Sequence, residues 1–173
     1  MRKLRVLVVD YSRFMVGVIT TLLEEREDIE VVGYALDGQA AIEQARALLP
    51  DVITMDVVMP RVDGIQATRV ITRELAIPIV VLSAYTERGA ILTLDALQAG
   101  ALECIAKPSG ERSMNLDSIA DELVAKVRRA VAVRNQGNVR DSADVDVPLR
   151  RTGQYRFSAL GQGEGKPPVV VVI

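Results

Sequence analysis

The chain has 173 residues, 49% of them hydrophobic and 25% charged, so it can bury one good core with something appended but cannot build two full domains. Its formal net charge of −2 supplies no electrostatic pull toward nucleic acid or an acidic membrane. With no histidine and a single cysteine, it cannot by itself host Ser-His-Asp or Cys-His catalysis, His-ligated zinc or an internal disulfide, which leaves carboxylates, hydroxyls, lysine or a hard cation for any chemistry.

From the N-terminus, residues 1–5 are basic, but the apolar run behind them is short and stops at Asp10, unlike a signal peptide or a membrane span. A soluble cytoplasmic protein without membrane insertion is expected, in keeping with the lone Cys104 in a reducing compartment. Leu4–Val9 reads as a first strand, and residues 29–36, 52–55, 79–82 and 102–106 as four more, each short and rich in Val or Ile like strands covered on both faces. Between them, apolar residues recur at spacings of three and four: Met15, Ile19 and Leu22; Ala41, Ala45 and Leu48; Ile65, Thr68, Ile71 and Leu75; Ile91, Leu94 and Leu97. These mark four amphipathic helices and their apolar faces.

Ser12 and Asp37 are placed to cap helix starts, Asp63 and Gly64 to form the turn that opens the third helix, and Gly100 to end the fourth. A fifth helix follows, with Leu116, Ile119, Leu123 and Val127 on one face. Five alternations of strand and helix predict an α/β domain over residues 1–133, a doubly wound parallel sheet with helices on both faces. Residues 134–168 lose the periodicity and concentrate glycine, proline and scattered acids, which predicts a flexible linker with at most a weakly ordered piece near residues 155–160. Residues 169–173 read as a strand with no partner here, the opening of a further domain.

In an open parallel sheet the residues that end different strands converge on one crevice. Here they are Asp10 after strand one, Asp56 after strand three, Ser83 after strand four and Lys107 after strand five. Two close carboxylates repel, and a divalent cation between them favours their joint ionisation. Magnesium suits such a pair, because one or two carboxylates plus waters and phosphate oxygens complete its shell. A phosphoryl group at one acid would meet the metal, the Lys107 ammonium and the Ser83 hydroxyl, so the four residues together form a candidate aspartyl-phosphate site. Each alone would more often be an ordinary turn or strand-end residue. The Lys107-Pro108 bond is a candidate cis peptide that would aim the lysine inward. A nucleotide-binding reading of "GQGEGKPP" fails, since its glycine spacing is one short of a P-loop, Pro167 stands where Ser or Thr is needed, and no strand precedes it.

As a set, "VLVVD" with Asp10, "DVITMDVVMPRVDG" with Asp56, Ser83 after strand four and "KP" at Lys107 resemble the receiver domains of two-component response regulators, over about residues 3–133. "TMDVVMPRVDGI", the "TLDALQAGA" helix and the attached linker are most similar to the N-terminal part of the chemotaxis CheB family of protein-glutamate methylesterases. The resemblance implies a flavodoxin-like sheet of order 2-1-3-4-5, and a chemotaxis-type histidine kinase that donates a phosphoryl group to Asp56 with Mg²⁺ support. It gives Lys107 and Ser83 the roles of phosphate partners, and the Val58 backbone carbonyl that of a metal ligand beside Asp10 and Asp56. An attached methylesterase domain would carry its own serine and histidine, so this chain is expected to be the regulatory part and no enzyme itself.

Two positions depart from that pattern. Receivers usually carry two adjacent acids after strand one, the second a direct metal ligand, and here Tyr11 takes its place. A neutral phenol is a poor substitute for a carboxylate around a hard cation, so Mg²⁺ binding is expected to be weak. Cys104 stands where the family usually has a switch aromatic, and Tyr85, two residues after Ser83, is a candidate aromatic gate in its stead. Two readings follow: a working phosphoacceptor with weakened metal affinity, or a pseudo-receiver that acts through protein partners without phosphorylation.

Overall fold

The computed structural model of the chain describes residues 2–59, 62–83, 87–107 and 116–140. Strands β1 (Leu4–Val9), β2 (Ile29–Ala35), β3 (Val52–Asp56), β4 (Ile79–Ser83) and β5 (Glu103–Ala106) alternate with helices α1 (Arg13–Glu24), α2 (Gly38–Leu48), α3 (Gly64–Leu75), α4 (Glu87–Gln98) and α5 (Leu116–Arg140). The strands form one parallel sheet in the order β2-β1-β3-β4-β5, the order the resemblance implied.

Because successive side chains on a strand point to opposite faces, the Val- and Ile-rich runs feed two cores at once. Leu7, Val9, Ile53, Met55, Ile79 and Val81 pack against Ala41, Ile42 and Ala45 of α2, Ala67 and Ile71 of α3, and Ala96 of α4. Val6, Val8, Val52, Val80, Leu82 and Ile105 pack on the other face, against Ile19 and Leu23 of α1 and Leu123, Val124, Val127 and Ala130 of α5. The helices therefore divide three and two across the sheet.

Ser12 and Asp37 cap helix starts as expected, and Asp63 of the expected turn does so too: each accepts a hydrogen bond from the backbone N–H three residues on, at Met15, Ala40 and Gln66. Gly100 follows α4 at a φ of 110°, a left-handed conformation open to glycine. One expectation is corrected: α4 forms, but Ile91, Leu94 and Leu97 face solvent, with Ile91 63% and Leu94 61% exposed, and Ala96 is the residue that meets the sheet. Helical spacing identifies which residues share a face; Leu92, Ala96 and Ala99 make a second apolar face, smaller and better fitted to close approach to the strands.

α5 runs past residue 133 to Arg140. The expected linker beyond residue 140, the strand at 169–173, Tyr85 and Pro108 of the candidate cis bond lie outside the described residues. No helix among the described residues is long and apolar enough to cross a membrane.

Candidate functional site

All four strand-end residues lie at the C-terminal edge of the sheet, where the open α/β topology places its crevice. β1 delivers Asp10, whose backbone N–H donates to the Ala35 carbonyl of β2 at 3.1 Å. β3 ends on Asp56, and β4 ends on the buried Ser83. Lys107 follows β5, and its backbone N–H donates to the Ser83 carbonyl at 2.7 Å, which joins the ends of β4 and β5.

The two acids are held in the same way. Asp10 Oδ1 accepts the Ser12 N–H at 2.9 Å, and Asp56 Oδ1 accepts the Val58 N–H at 3.0 Å. Each is a local turn in which an aspartate bonds the backbone two residues on, fixing one oxygen and turning the other inward. Both inward oxygens meet the same cation: Lys107 Nζ lies 2.7 Å from Asp10 Oδ2 and 2.8 Å from Asp56 Oδ2. Beyond that ammonium, neither Oδ2 has a hydrogen-bond partner among the described residues.

Asp10 is 0% and Asp56 2% exposed, so three charges with a net of one negative sit in a nearly dry corner. Burial pushes the Asp56 carboxyl above its ordinary range. The hydrogen bond and charge of Lys107 and the Val58 N–H pull it down, the Asp10 charge pushes it up again, and the net shift is upward. A carboxylate so placed is basic, poorly solvated and attracted to any further positive charge.

Gly64 completes the corner. α3 starts so close to β3 that a Cβ at this position would collide with the Asp56 carbonyl oxygen, while the Gly64 N–H donates to the Val57 carbonyl at 3.1 Å. The sequence marked Asp63 and Gly64 as a turn; that the turn presses on the backbone of Asp56 needed the third dimension.

The donor set fits a small hard cation. Two buried carboxylate oxygens already converge on one positive charge, and the net negative charge favours a second. Among the described residues no cluster of three or more acids or cysteines could hold a metal, so the protein offers two carboxylates, which suits Mg²⁺ better than the larger shell of Ca²⁺. Tyr11 is 59% exposed and adds no carboxylate. Val58 is also exposed beside the corner. Cys104 is half-buried on β5, its thiol 3.4 Å from Thr93 Oγ1.

A family model described as "Response regulator receiver domain" matches residues 6–117. A protein-glutamate methylesterase/protein-glutamine glutaminase of Caldanaerobacter subterraneus subsp. tengcongensis is 39% identical over 173 residues, 99% of this chain and 47% of that protein. The chain spans less than half the length of the curated relatives it matches. The response regulator domain of Thermotoga maritima CheB has the same fold with a TM-score of 0.68 and 43% identity, covering 76% of this chain and 98% of that one. A CheX-CheY-BeF3-Mg²⁺ complex from Borrelia burgdorferi matches with a TM-score of 0.56 and 28% identity, over 71% of this chain and 91% of that one.

Proposed function

The chain belongs to the response regulator receiver domain family, and on that premise we propose that it accepts a phosphoryl group on Asp56 from a histidine kinase. The observation that carries this reading is the convergence of two buried aspartate oxygens on the Lys107 ammonium. In the transfer, Asp56 Oδ2 attacks phosphorus as the P–N bond of a phosphohistidine breaks, and the histidine nitrogen leaves with the bonding pair. Lys107 changes partners, from carboxylate to a phosphoryl oxygen, and Ser83 at the neighbouring strand end supplies a hydroxyl to another. Asp10, Asp56 and the Val58 carbonyl would hold Mg²⁺, which when bound neutralises charge on the phosphoryl oxygens. The Borrelia complex, with BeF3 and Mg²⁺ in its name, supports this assignment by likeness.

Because the matched relatives are protein-glutamate methylesterases more than twice as long, we further propose that this receiver regulates an attached methylesterase domain of a chemotaxis system. Residues 141–168, beyond the end of α5, would link the two, and residues 169–173 would open the second. A second reading has its own observation: Tyr11 leaves two acids at the corner among the described residues and is itself exposed, as a pseudo-receiver that signals by binding alone would tolerate.

Tyrosine emission separates the two, since the chain has four tyrosines and no tryptophan and Tyr11 adjoins Asp10. Mg²⁺ with beryllium fluoride should perturb the signal of the wild type, and Tyr11→Asp, which removes that reporter and is titrated by calorimetry instead, should tighten Mg²⁺ binding by at least about tenfold, about 1.4 kcal/mol. A wild-type protein that shows no binding at millimolar Mg²⁺, with none restored by Tyr11→Asp, would overturn the phosphoacceptor reading.

A further inference from the structure

Among the described residues four buried side-chain oxygens have no hydrogen-bond partner: Asp10 Oδ2, Asp56 Oδ2, Thr54 Oγ1 and Thr68 Oγ1. Thr68 lies apart from the others, on α3. The remaining three share one face of the sheet and two adjacent strands. Thr54 of β3 is flanked by Val8 of β1 and Val80 of β4, both part of the core beneath α1 and α5. Side chains two residues apart on a strand share a face, so Asp10 follows Val8, and Asp56 follows Thr54, on that same side.

Thr54 is 0% exposed, and the strand residues of the core around it include Val6, Val8, Val52 and Val80. Valine has the shape of threonine with a methyl in place of the hydroxyl, and here it would fill the same room without burying an unpaired polar group. A threonine in this row of valines therefore calls for a polar partner. On this face of the sheet the other buried polar side chains among the described residues are the two aspartates, since Ser83 follows Val81 on the opposite face. A strand advances about 3.3 Å per residue, which sets the Thr54 and Asp56 side chains roughly 6.6 Å apart. That span is too long for one hydrogen bond and suits two in series through a water, each about 2.8 Å. A buried water makes about three hydrogen bonds, and here one hydroxyl and two carboxylate oxygens converge.

We propose that Thr54 is a positioning residue of the acid pair and that it does so by holding one buried water against Asp10 and Asp56. The Thr54 O–H donates to the water oxygen, and the water donates one proton to Asp10 Oδ2 and the other to Asp56 Oδ2. Each carboxylate oxygen has two lone pairs, so one still faces the Lys107 ammonium. When Lys107 changes partners, the water keeps the two like charges at a fixed spacing, as outer-shell hydrogen bonds do for metal-ligating carboxylates. This positioning role rests on the phosphoacceptor reading; the water site does not.

In ligand-free protein, oxygen-17 magnetic relaxation dispersion counts long-lived internal waters. The wild type and Thr54→Ser, which keeps the hydroxyl, should each hold one more than Thr54→Val. Equal counts in the wild type and Thr54→Val, or a high-resolution crystal structure in which no water meets Thr54 Oγ1, would overturn the water site. Calorimetric titration with Mg²⁺ tests the positioning: Thr54→Val should weaken binding at least about threefold, and Thr54→Ser should bind as the wild type does although it loses a buried methyl. Equal Mg²⁺ affinity in the wild type and Thr54→Val overturns the positioning role and leaves the phosphoacceptor reading standing. Absence of Mg²⁺ binding in the wild type overturns that reading and the positioning role with it, and the water counts decide the site.

Discussion

Asp56 spends one oxygen on the Val58 N–H and the other on Lys107, yet remains harder to ionise than an ordinary aspartate because burial outweighs both bonds. Its folded pKa therefore lies above its unfolded value of 3.8, so the folded state takes up a proton before the unfolded state does. The stability this group contributes is fully present below the unfolded value and is lost as pH rises through the folded one. In metal-free buffer Asp56→Asn should accordingly be more stable than the wild type at pH 7, and the difference should shrink as pH falls toward 3.8. Urea denaturation at a series of pH values measures this; a variant less stable than the wild type at pH 7 would contradict it. The strand-end positions of Asp10, Asp56, Ser83 and Lys107 were legible from the alternation of apolar runs. That one ammonium holds both acids was not, because sequence gives the edge on which a lysine lies but not the length and direction of its reach.

The elements that bring these residues together were legible where one signal dominated. Val- and Ile-rich runs marked β1 to β4, the alternation of elements placed β5 with its single Ile105, caps marked the starts of α1 and α2, and a turn marked that of α3. α4 was legible as a helix but its inward face was not, since Ile91 and Leu94 compete with a smaller set centred on Ala96 and only the distance to the sheet decides between them. The start of α3 carries the sharpest steric demand. Gly64→Ala would drive a methyl into the Asp56 carbonyl, a backbone neighbour that cannot swing aside. It should cost about 2–3 kcal/mol in urea denaturation and weaken Mg²⁺ binding by moving Asp56, whereas an exposed substitution on the same helix, Gln66→Ala, should do neither. An unchanged Mg²⁺ affinity in a destabilised Gly64→Ala would separate the turn from the site.

For the whole molecule, the sheet order β2-β1-β3-β4-β5 puts β1 and β3 side by side at the centre, and this adjacency makes a pair of Asp10 and Asp56 although they are far apart in sequence. β4 and β5 extend the edge on one side, so Ser83 and Lys107 approach the same corner and α4 lies over the strands that carry them. In the proposed function one added group on Asp56 would act on this shared corner, and a bias of ~1.4 kcal/mol between two states suffices for a tenfold change in population. In the proposed function Asp56 is the phosphoacceptor. Incubation with Mg²⁺ and a small phosphoramidate donor, followed by intact-protein mass spectrometry, tests it most directly. The wild type should gain the mass of one phosphoryl group, lose it in alkali as an acyl phosphate does, and Asp56→Asn should gain none; no gain in the wild type, or an equal gain in Asp56→Asn, would contradict the account.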